Sequence, residues 1–170
     1  MKNLLAILLL ATISQICLAD STRQIYLVRH AEKQADGTKD PSLTKQGHKR
    51  AEQIAKILAN KSIKAIYSSD YKRTQQTATP LAKQLDLQVI SYHPGKLEAF
   101  SKLVLASDGN LLIVGHSNTT PNLSVLLGGE SFNDIDESEY DRIYKLSISA
   151  KEVKSTLLYS TPRFSNKKSN

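Results

Sequence analysis

The stretch Ile25-Tyr26-Leu27-Val28-Arg29-His30 decides the fold of this chain, because an apolar, β-rich run ends in two basic side chains. Two later stretches have the same design. Leu111-Leu112-Ile113-Val114-Gly115-His116 ends in a histidine, and Ile63-Lys64-Ala65-Ile66-Tyr67-Ser68-Ser69 is followed closely by Arg73. The carboxyl ends of strands in an open α/β sheet border the crevice that binds ligands. We therefore expect the two histidines and the two arginines to meet in one crevice.

Strand-like and helix-like segments alternate from residue 24 to residue 127. The first helix is indicated by Ala51, Ile54, Ala55 and Leu58, which share one helical face, with Thr44 as its expected N-cap. The other predicted strands cover 63–67, 87–91, 111–114, 142–148 and 152–159, and the other predicted helices begin at 69–70, 96 and 117. This order predicts one α/β domain over residues 20–160, a three-layer sandwich of a mostly parallel sheet with helices on both faces.

The second predicted helix contains a local conflict. Ser69 or Asp70 is its expected N-cap, and its apolar stripe ends at Leu85. Pro80 lies inside that stripe, and a proline within a helix removes a hydrogen bond and clashes with the preceding turn. We therefore expect a kink or a late start of the regular helix.

Residues 1–19 have the pattern of a signal peptide. Lys2 provides a positive start, an apolar run follows from Leu4 to Ile13, and small residues precede Asp20. The apolar run is too short to favour a membrane span. The sequence thus predicts export, to a periplasm or to the medium. Because Cys17 is the only cysteine, the processed chain would lack disulfides and thiol chemistry.

The formal net charge of +7 is concentrated partly in residues 151–170. The last ten residues, 161–170, are predicted to be a disordered basic tail. The alternative is a weak attraction of this tail to anionic envelope surfaces. Aromatic residues do not alternate with the basic ones and no nucleic-acid motif is present, so nucleic acid is not an expected partner. We expect a monomer or a weak dimer.

Two imidazoles and two guanidiniums without clustered acids fit a phosphoryl group. Guanidinium groups bind two phosphate oxygens at once and stay charged at every relevant pH. His, Asp and Glu do not occur at metal-ligand spacing, so the sequence predicts neither a metal nor another cofactor. The expected partner is a small phosphorylated substrate.

Four sequence blocks, taken together, resemble the histidine phosphatase superfamily, with its phosphoglycerate mutase-like fold and Arg-His-Gly signature. They are Leu27-Val28-Arg29-His30-Ala31-Glu32, Leu43-Thr44-x-x-Gly47, Ser68-Ser69-x-x-x-Arg73-x-x-x-Thr77-Ala78 and Val114-Gly115-His116-Ser117. Their order, spacing and strand context agree from residue 24 to about residue 128. One departure is Ala31, which stands where the signature has glycine.

The resemblance implies a role for each of these polar residues. His30 would be the nucleophile that forms a phosphohistidine, and Arg29 and Arg73 would bind the phosphoryl oxygens. His116 would donate a hydrogen bond to the same oxygens. Asn118, at the start of a helix, is balanced between a phosphate ligand and a structural cap.

The leaving oxygen requires a proton, and the family uses a carboxyl group for this purpose. Ser117 stands where phytase-like members carry an acid directly after the second histidine. Glu98 lies 25 residues beyond Arg73 and is the expected acid, with capping of its helix as an equal alternative. Glu32 and Asp36 are the next candidates.

The resemblance thus implies an exported, metal-independent phosphatase that hydrolyses phosphomonoesters through a phosphohistidine. The alternative is a phosphate-binding or regulatory module of the envelope that has lost turnover. A neutral imidazole nucleophile further predicts that activity falls as His30 is protonated, within one or two units of pH 6.5.

Overall fold

The computed structural model describes residues 22–161. The predicted signal peptide at 1–19 and all but the first residue of the predicted tail at 161–170 lie outside the described residues. Within 22–161 the elements are β1 (Arg23–Arg29), α1 (Lys45–Leu58), β2 (Ile63–Ser69), α2 (Lys72–Leu85), β3 (Val89–Tyr92), α3 (Leu97–Ala106), β4 (Asn110–Gly115), α4 (Thr119–Leu126), β5 (Arg142–Ile148) and β6 (Val153–Tyr159). None of these helices has the length and apolar character that crossing a membrane requires.

The strands form one mixed sheet in the order β3-β2-β4-β1-β5-β6. The first four of these are parallel, and the β5–β6 hairpin joins β1 in the antiparallel sense. Strands β1 and β4 are neighbours, with Arg29 opposite Gly115 in the register. The residues that follow them, His30 and His116, therefore leave the sheet side by side.

The central strands are buried on both faces, as continuous apolar runs predict for parallel strands. Ile25 and Leu27 contribute to one core with α3 and α4, whereas Tyr26 and Val28 contribute to the other with α1 and α2. The helices thus cover both faces of the sheet. The predicted three-layer α/β sandwich is confirmed.

The helix ends differ in how well the sequence predicted them. Thr44 caps α1 as expected, its side chain accepting a hydrogen bond from the Gly47 amide.

The predicted cap of α2 was wrong, since Tyr71 is the N-cap and makes no side-chain cap bond. The Ser69 hydroxyl instead contacts Thr74 and His116. Helix α2 also continues through Pro80 to Leu85.

Close packing between α1 and the loop after β1 requires a glycine. A Cβ atom at Gly47 would collide with the backbone carbonyl of Glu32, two residues beyond His30. Thr44 accordingly forms a hydrogen bond to the same carbonyl through its backbone amide, at 2.8 Å. Helix α1 thereby fixes the start of the loop that carries His30.

Candidate active site

His30 lies at the carboxyl end of β1 and is almost fully buried. Its Nδ1 is 2.8 Å from the carbonyl oxygen of Ala31. A carbonyl only accepts, so Nδ1 carries the proton and Nε2 keeps its lone pair. Burial lowers the pKa of His30 to about 3, and the charges of Arg29 and Arg73 act in the same direction. The ring is therefore neutral, with Nε2 available as a nucleophile.

His116 stands beside His30, with ring centroids 5.6 Å apart and an interplanar angle of 68°. Its Nε2 is 2.9 Å from the Ser69 hydroxyl, and its Nδ1 is 3.5 Å from Nη2 of Arg73. Burial lowers the pKa of His116 to about 4, with a further contribution from the charge of Arg73. Both imidazoles therefore remain uncharged in the empty site at neutral pH.

Arg29 is buried beneath the segment that precedes β5. Its Nη1 donates to the carbonyls of Asp136, Glu137 and Glu139, and its Nη2 is 3.1 Å from the carboxylate of Glu137. The guanidinium lies 4.3 Å from the ring centroid of Tyr140. Its buried Nε has no hydrogen-bond partner within residues 22–161. One donor of a rigidly held guanidinium thus remains unused.

Arg73 lies in the first turn of α2 and stacks on Tyr71, 4.5 Å from the ring centroid. Asp40 is its nearest carboxylate, 3.6 Å from Nη1. The buried Nε and Nη1 of Arg73 make no hydrogen bond to the described part of the chain. Arg73 also borders the cavity that contains His30 and His116, so its positive charge acts on that space.

The start of α4 forms another wall. Asn118 is the N-cap by position, but its side chain makes no cap hydrogen bond. The hydroxyl of Thr119 performs the local role, accepting from the His116 amide at 2.9 Å. The structure therefore gives no hydrogen bond that supports the structural-cap alternative for Asn118.

These residues enclose one cavity of about 460 Å³. The two histidines and the two arginines therefore share one cavity, as the strand ends predicted, and Asn118 from the start of α4 lines it too. No group of three or more possible metal ligands is found within residues 22–161. The lining consists of Arg29, His30, Lys33, Tyr71, Arg73, Pro94, Gly95, His116, Ser117, Asn118, Thr119 and Glu137.

Comparison with known proteins agrees with this geometry. The family model described as histidine phosphatase superfamily (branch 1) matches residues 25–94, which contain His30 and both arginines. The match to the histidine phosphatase superfamily thus extends from β1 to the loop after β3. Phosphoserine phosphatase 1 of Hydrogenobacter thermophilus is 38% identical over a segment that covers 39% of this chain and 35% of that relative. The match thus spans about a third of the length of that curated relative.

Solved structures agree in fold. A mycobacterial glucosyl-3-phosphoglycerate phosphatase has a TM-score of 0.63 at 15% identity, covering 82% of this chain and 99% of its own. The protein histidine phosphatase SixA complexed with tungstate has a TM-score of 0.63 at 18% identity, covering 81% of this chain and 96% of its own. At these identities the likeness establishes the phosphoglycerate mutase-like fold alone.

Glu98 is not brought into the cavity of the histidines. It is exposed in the first turn of α3 and lines a neighbouring cavity of about 860 Å³. Pro94 and Gly95 border both cavities. The two fallback acids lie elsewhere: Glu32 is held by Arg50, and Asp36 binds the amide and hydroxyl of Thr38.

Sequence reasoning missed Glu137, the one carboxylate among the residues that line the cavity of the histidines. Its side chain accepts from Arg29 Nη2 and from the Ser117 hydroxyl, each at 3.1 Å. Lys33 and Tyr71 were missed as well. Glu137 lies in an irregular segment, so no helical or strand periodicity could have predicted its place in the cavity. The only signal in the sequence is the group of acidic residues around it.

Proposed function

We propose that this protein is an exported, metal-independent phosphatase that hydrolyses phosphomonoesters through a phosphohistidine at His30. The single observation that carries the proposal is the pairing of a neutral imidazole with unsatisfied guanidinium donors. His30 offers Nε2, while Nε of Arg29 and both Nε and Nη1 of Arg73 lack hydrogen bonds to the described chain. Both arginines border the cavity of His30, where a tetrahedral dianion would meet their two positive charges.

The reaction would have two steps. First, Nε2 of His30 attacks phosphorus, the new P–N bond forms, and the ester P–O bond breaks as the leaving oxygen takes a proton. Second, water attacks phosphorus, a proton returns from this water to the conjugate base of the acid, and the P–N bond breaks. The products are the alcohol, inorganic phosphate and neutral His30.

The arginines would act mainly through position and charge. Phosphoryl transfer develops charge on the equatorial oxygens, and prearranged cations stabilise it without reorganisation. Arg29 is held in place by three backbone carbonyls, and Arg73 by stacking on Tyr71. His116 and Asn118 would complete this set of phosphate ligands.

Glu98 remains our proposed proton donor. Glu137 accepts hydrogen bonds from Arg29 and Ser117, and a carboxylate that is occupied as an acceptor on both oxygens is badly placed to donate. The exposed side chain of Glu98 borders the adjoining cavity. Glu98→Gln should slow hydrolysis of alkyl phosphates far more than of dinitrophenyl phosphate, whose leaving group needs no proton.

The decisive experiment is hydrolysis of an aryl phosphate by residues 20–170 in the presence of a chelator. His30→Ala should abolish activity, whereas the control His48→Ala, at an exposed position on α1, should retain it. Acid-labile phosphate should be trapped on the parent protein during turnover and be absent from His30→Ala. Activity that survives in His30→Ala would overturn the assignment. Phosphate binding without turnover would indicate the envelope binding module instead.

Export is supported by the leader pattern at residues 1–19. Expression of the full chain in a bacterial host should yield a shortened protein outside the cytoplasm, beginning near Asp20. An uncleaved chain in the cytoplasmic fraction would contradict this part of the proposal.

A further inference from the structure

A second cavity opens beside the phosphate-binding one. Its volume is about 860 Å³, against about 460 Å³ for the cavity of His30, and the loop residues Pro94 and Gly95 line both. Volumes of this size are typical of sites for small organic ligands. The two cavities therefore adjoin at the loop that contains Pro94 and Gly95.

We infer that the second cavity binds the organic part of the phosphomonoester, and that the substrate class is one with an elongated, apolar leaving group. The inference rests on the proposed function, because it places the phosphoryl group of the same substrate at His30. A substrate with a small polar group would leave the second cavity unused.

Helix α4 connects the two cavities. Its N-terminal residues Asn118 and Thr119 line the phosphate cavity, whereas Asn122, Val125 and Leu126 line the second one. With a rise of 1.5 Å per residue, Val125 lies about 10 Å along the helix axis from Asn118. An organic group of about this length, attached to a phosphoryl group at the helix start, would reach the last turn.

The wall of the second cavity determines the chemistry of this group. Val125 and Leu126 are 48% and 39% exposed, although their side chains are apolar. Leu97 of α3 and Pro94 contribute further apolar surface to the lining. Apolar side chains that are exposed within a concave site mark a surface that a ligand covers. Hence an alkyl or aryl chain fits the part of the wall formed by Leu97, Val125 and Leu126, whereas Asn122 and Ser131 belong to its polar part.

The charged residues of this cavity are compatible with an uncharged leaving group. Lys96 and Glu98 both line it, so their opposite charges leave no excess that would select an ionic leaving group. Because Glu98 lines the second cavity, it borders the space that the organic part of the substrate would occupy. A carboxyl group placed there can protonate the leaving oxygen as the organic part is released.

The test measures inhibition by n-alkyl phosphonates, which carry a P–C bond that the enzyme cannot hydrolyse. From methyl- to hexylphosphonate, affinity should rise about 30-fold, or about twofold for each methylene that the open cleft partly desolvates. In the double variant Val125→Ser with Leu126→Gln, this rise should shrink to about threefold. Methylphosphonate should inhibit this variant and the parent protein equally.

The matched control is Leu103→Gln with Leu105→Gln. These two leucines of α3 are 51% and 45% exposed, but neither lines the second cavity. The control should keep the full dependence on chain length. Equal inhibition of the parent protein by all phosphonates would overturn the inference, and so would an unchanged slope in the Val125/Leu126 variant.

Failure of the proposed function would look different. Inactivity towards every phosphate ester, together with a chain-length dependence that needs Val125 and Leu126, would leave the ligand site standing and remove the phosphatase activity. Activity without chain-length dependence would leave the phosphatase standing and remove the second site. Absence of any phosphonate binding would overturn both.

Discussion

Arg50 and the pair Arg29 and Arg73 are all largely buried, yet their surroundings differ. Arg50 is fully buried and donates from Nε and Nη2 to the carboxylate of Glu32, and from Nη1 to the Ser160 hydroxyl. The other two arginines retain buried nitrogens without hydrogen bonds to the described chain.

The difference separates a structural guanidinium from a ligand-binding one. Burying a charge is tolerated when its donors are satisfied, as they are at Arg50. A buried donor that makes no hydrogen bond within the fold costs free energy, and binding of a ligand can offset that cost. Composition alone does not distinguish the three arginines, whereas their hydrogen bonds do.

Removal of Arg50 should produce the largest change in stability. Arg50→Ala leaves the Glu32 carboxylate without its counter-ion, and breaking a buried pair in this way costs about 3–5 kcal/mol. Chemical denaturation should show this loss in the free energy of unfolding. The double variant Arg50→Met with Glu32→Leu should recover most of it, and a stable Arg50→Ala would contradict the structural role.

Arg73→Ala should show the converse pattern. We expect kcat/KM for an aryl phosphate to fall about 10²–10³-fold, because a prearranged charge is lost from the transition state. The free energy of unfolding should change little, since Nε and Nη1 of the deleted guanidinium make no hydrogen bond within the described chain. Steady-state kinetics and denaturation on the same preparation test this, and a large loss of stability with intact kinetics would reverse the comparison.

The neutral histidines predict a dependence of stability on pH. The pKa values of about 3 for His30 and about 4 for His116 lie below the ordinary value of 6.5. Between pH 6.5 and pH 4, the unfolded chain therefore binds more protons, and stability falls as pH falls. The variant His30→Asn with His116→Asn should lose part of this decline in thermal unfolding across that range.

The same values correct the sequence-based expectation for activity. Protonation of His30 was expected within one or two units of pH 6.5. Its pKa of about 3 instead keeps the imidazole neutral at pH values below that range. NMR of the imidazole Cε1–Hε1 groups should show both site histidines uncharged at pH 5. A His30 signal that titrates near pH 6.5 would contradict the effect of burial.

Glu137→Gln should have the smallest effect. The carboxylate of Glu137 pairs with Arg29 Nη2 and adds negative charge to the cavity. Because this side chain is 78% exposed, solvent and salt screen its charge. We expect inorganic phosphate to bind about two- to fivefold more tightly, with the gain shrinking at high salt. Glu52→Gln removes the same charge from α1, outside the cavity, and should leave the inhibition constant unchanged.

The parts of the fold that follow from local patterns were predictable from the sequence. Continuous apolar runs such as Ile25–Val28 indicated parallel strands, and the helical spacing of Ile54 and Leu58 indicated α1. The abrupt change to Arg29 and His30 then marked the strand end that carries the site. Each of these signals lies within a few residues of the structure it predicts.

Features that depend on distant partners were not predictable. Ser69 looked like a helix cap, but its hydroxyl is used by Thr74 and His116, the latter 47 residues away. Glu137 shows no periodicity, and its place in the cavity follows from Arg29. Glu98 was assigned by spacing along the chain, which does not report that α3 turns it towards the adjoining cavity.

The carbonyls that hold Arg29 come from residues 107 to 110 positions later in the chain. During synthesis, Arg29 therefore leaves the ribosome long before the segment that orients it. The parallel strands and both histidines can assemble while this guanidinium is still unrestrained. A chain interrupted before residue 136 would therefore carry the nucleophile beside an Arg29 that lacks these three carbonyl partners.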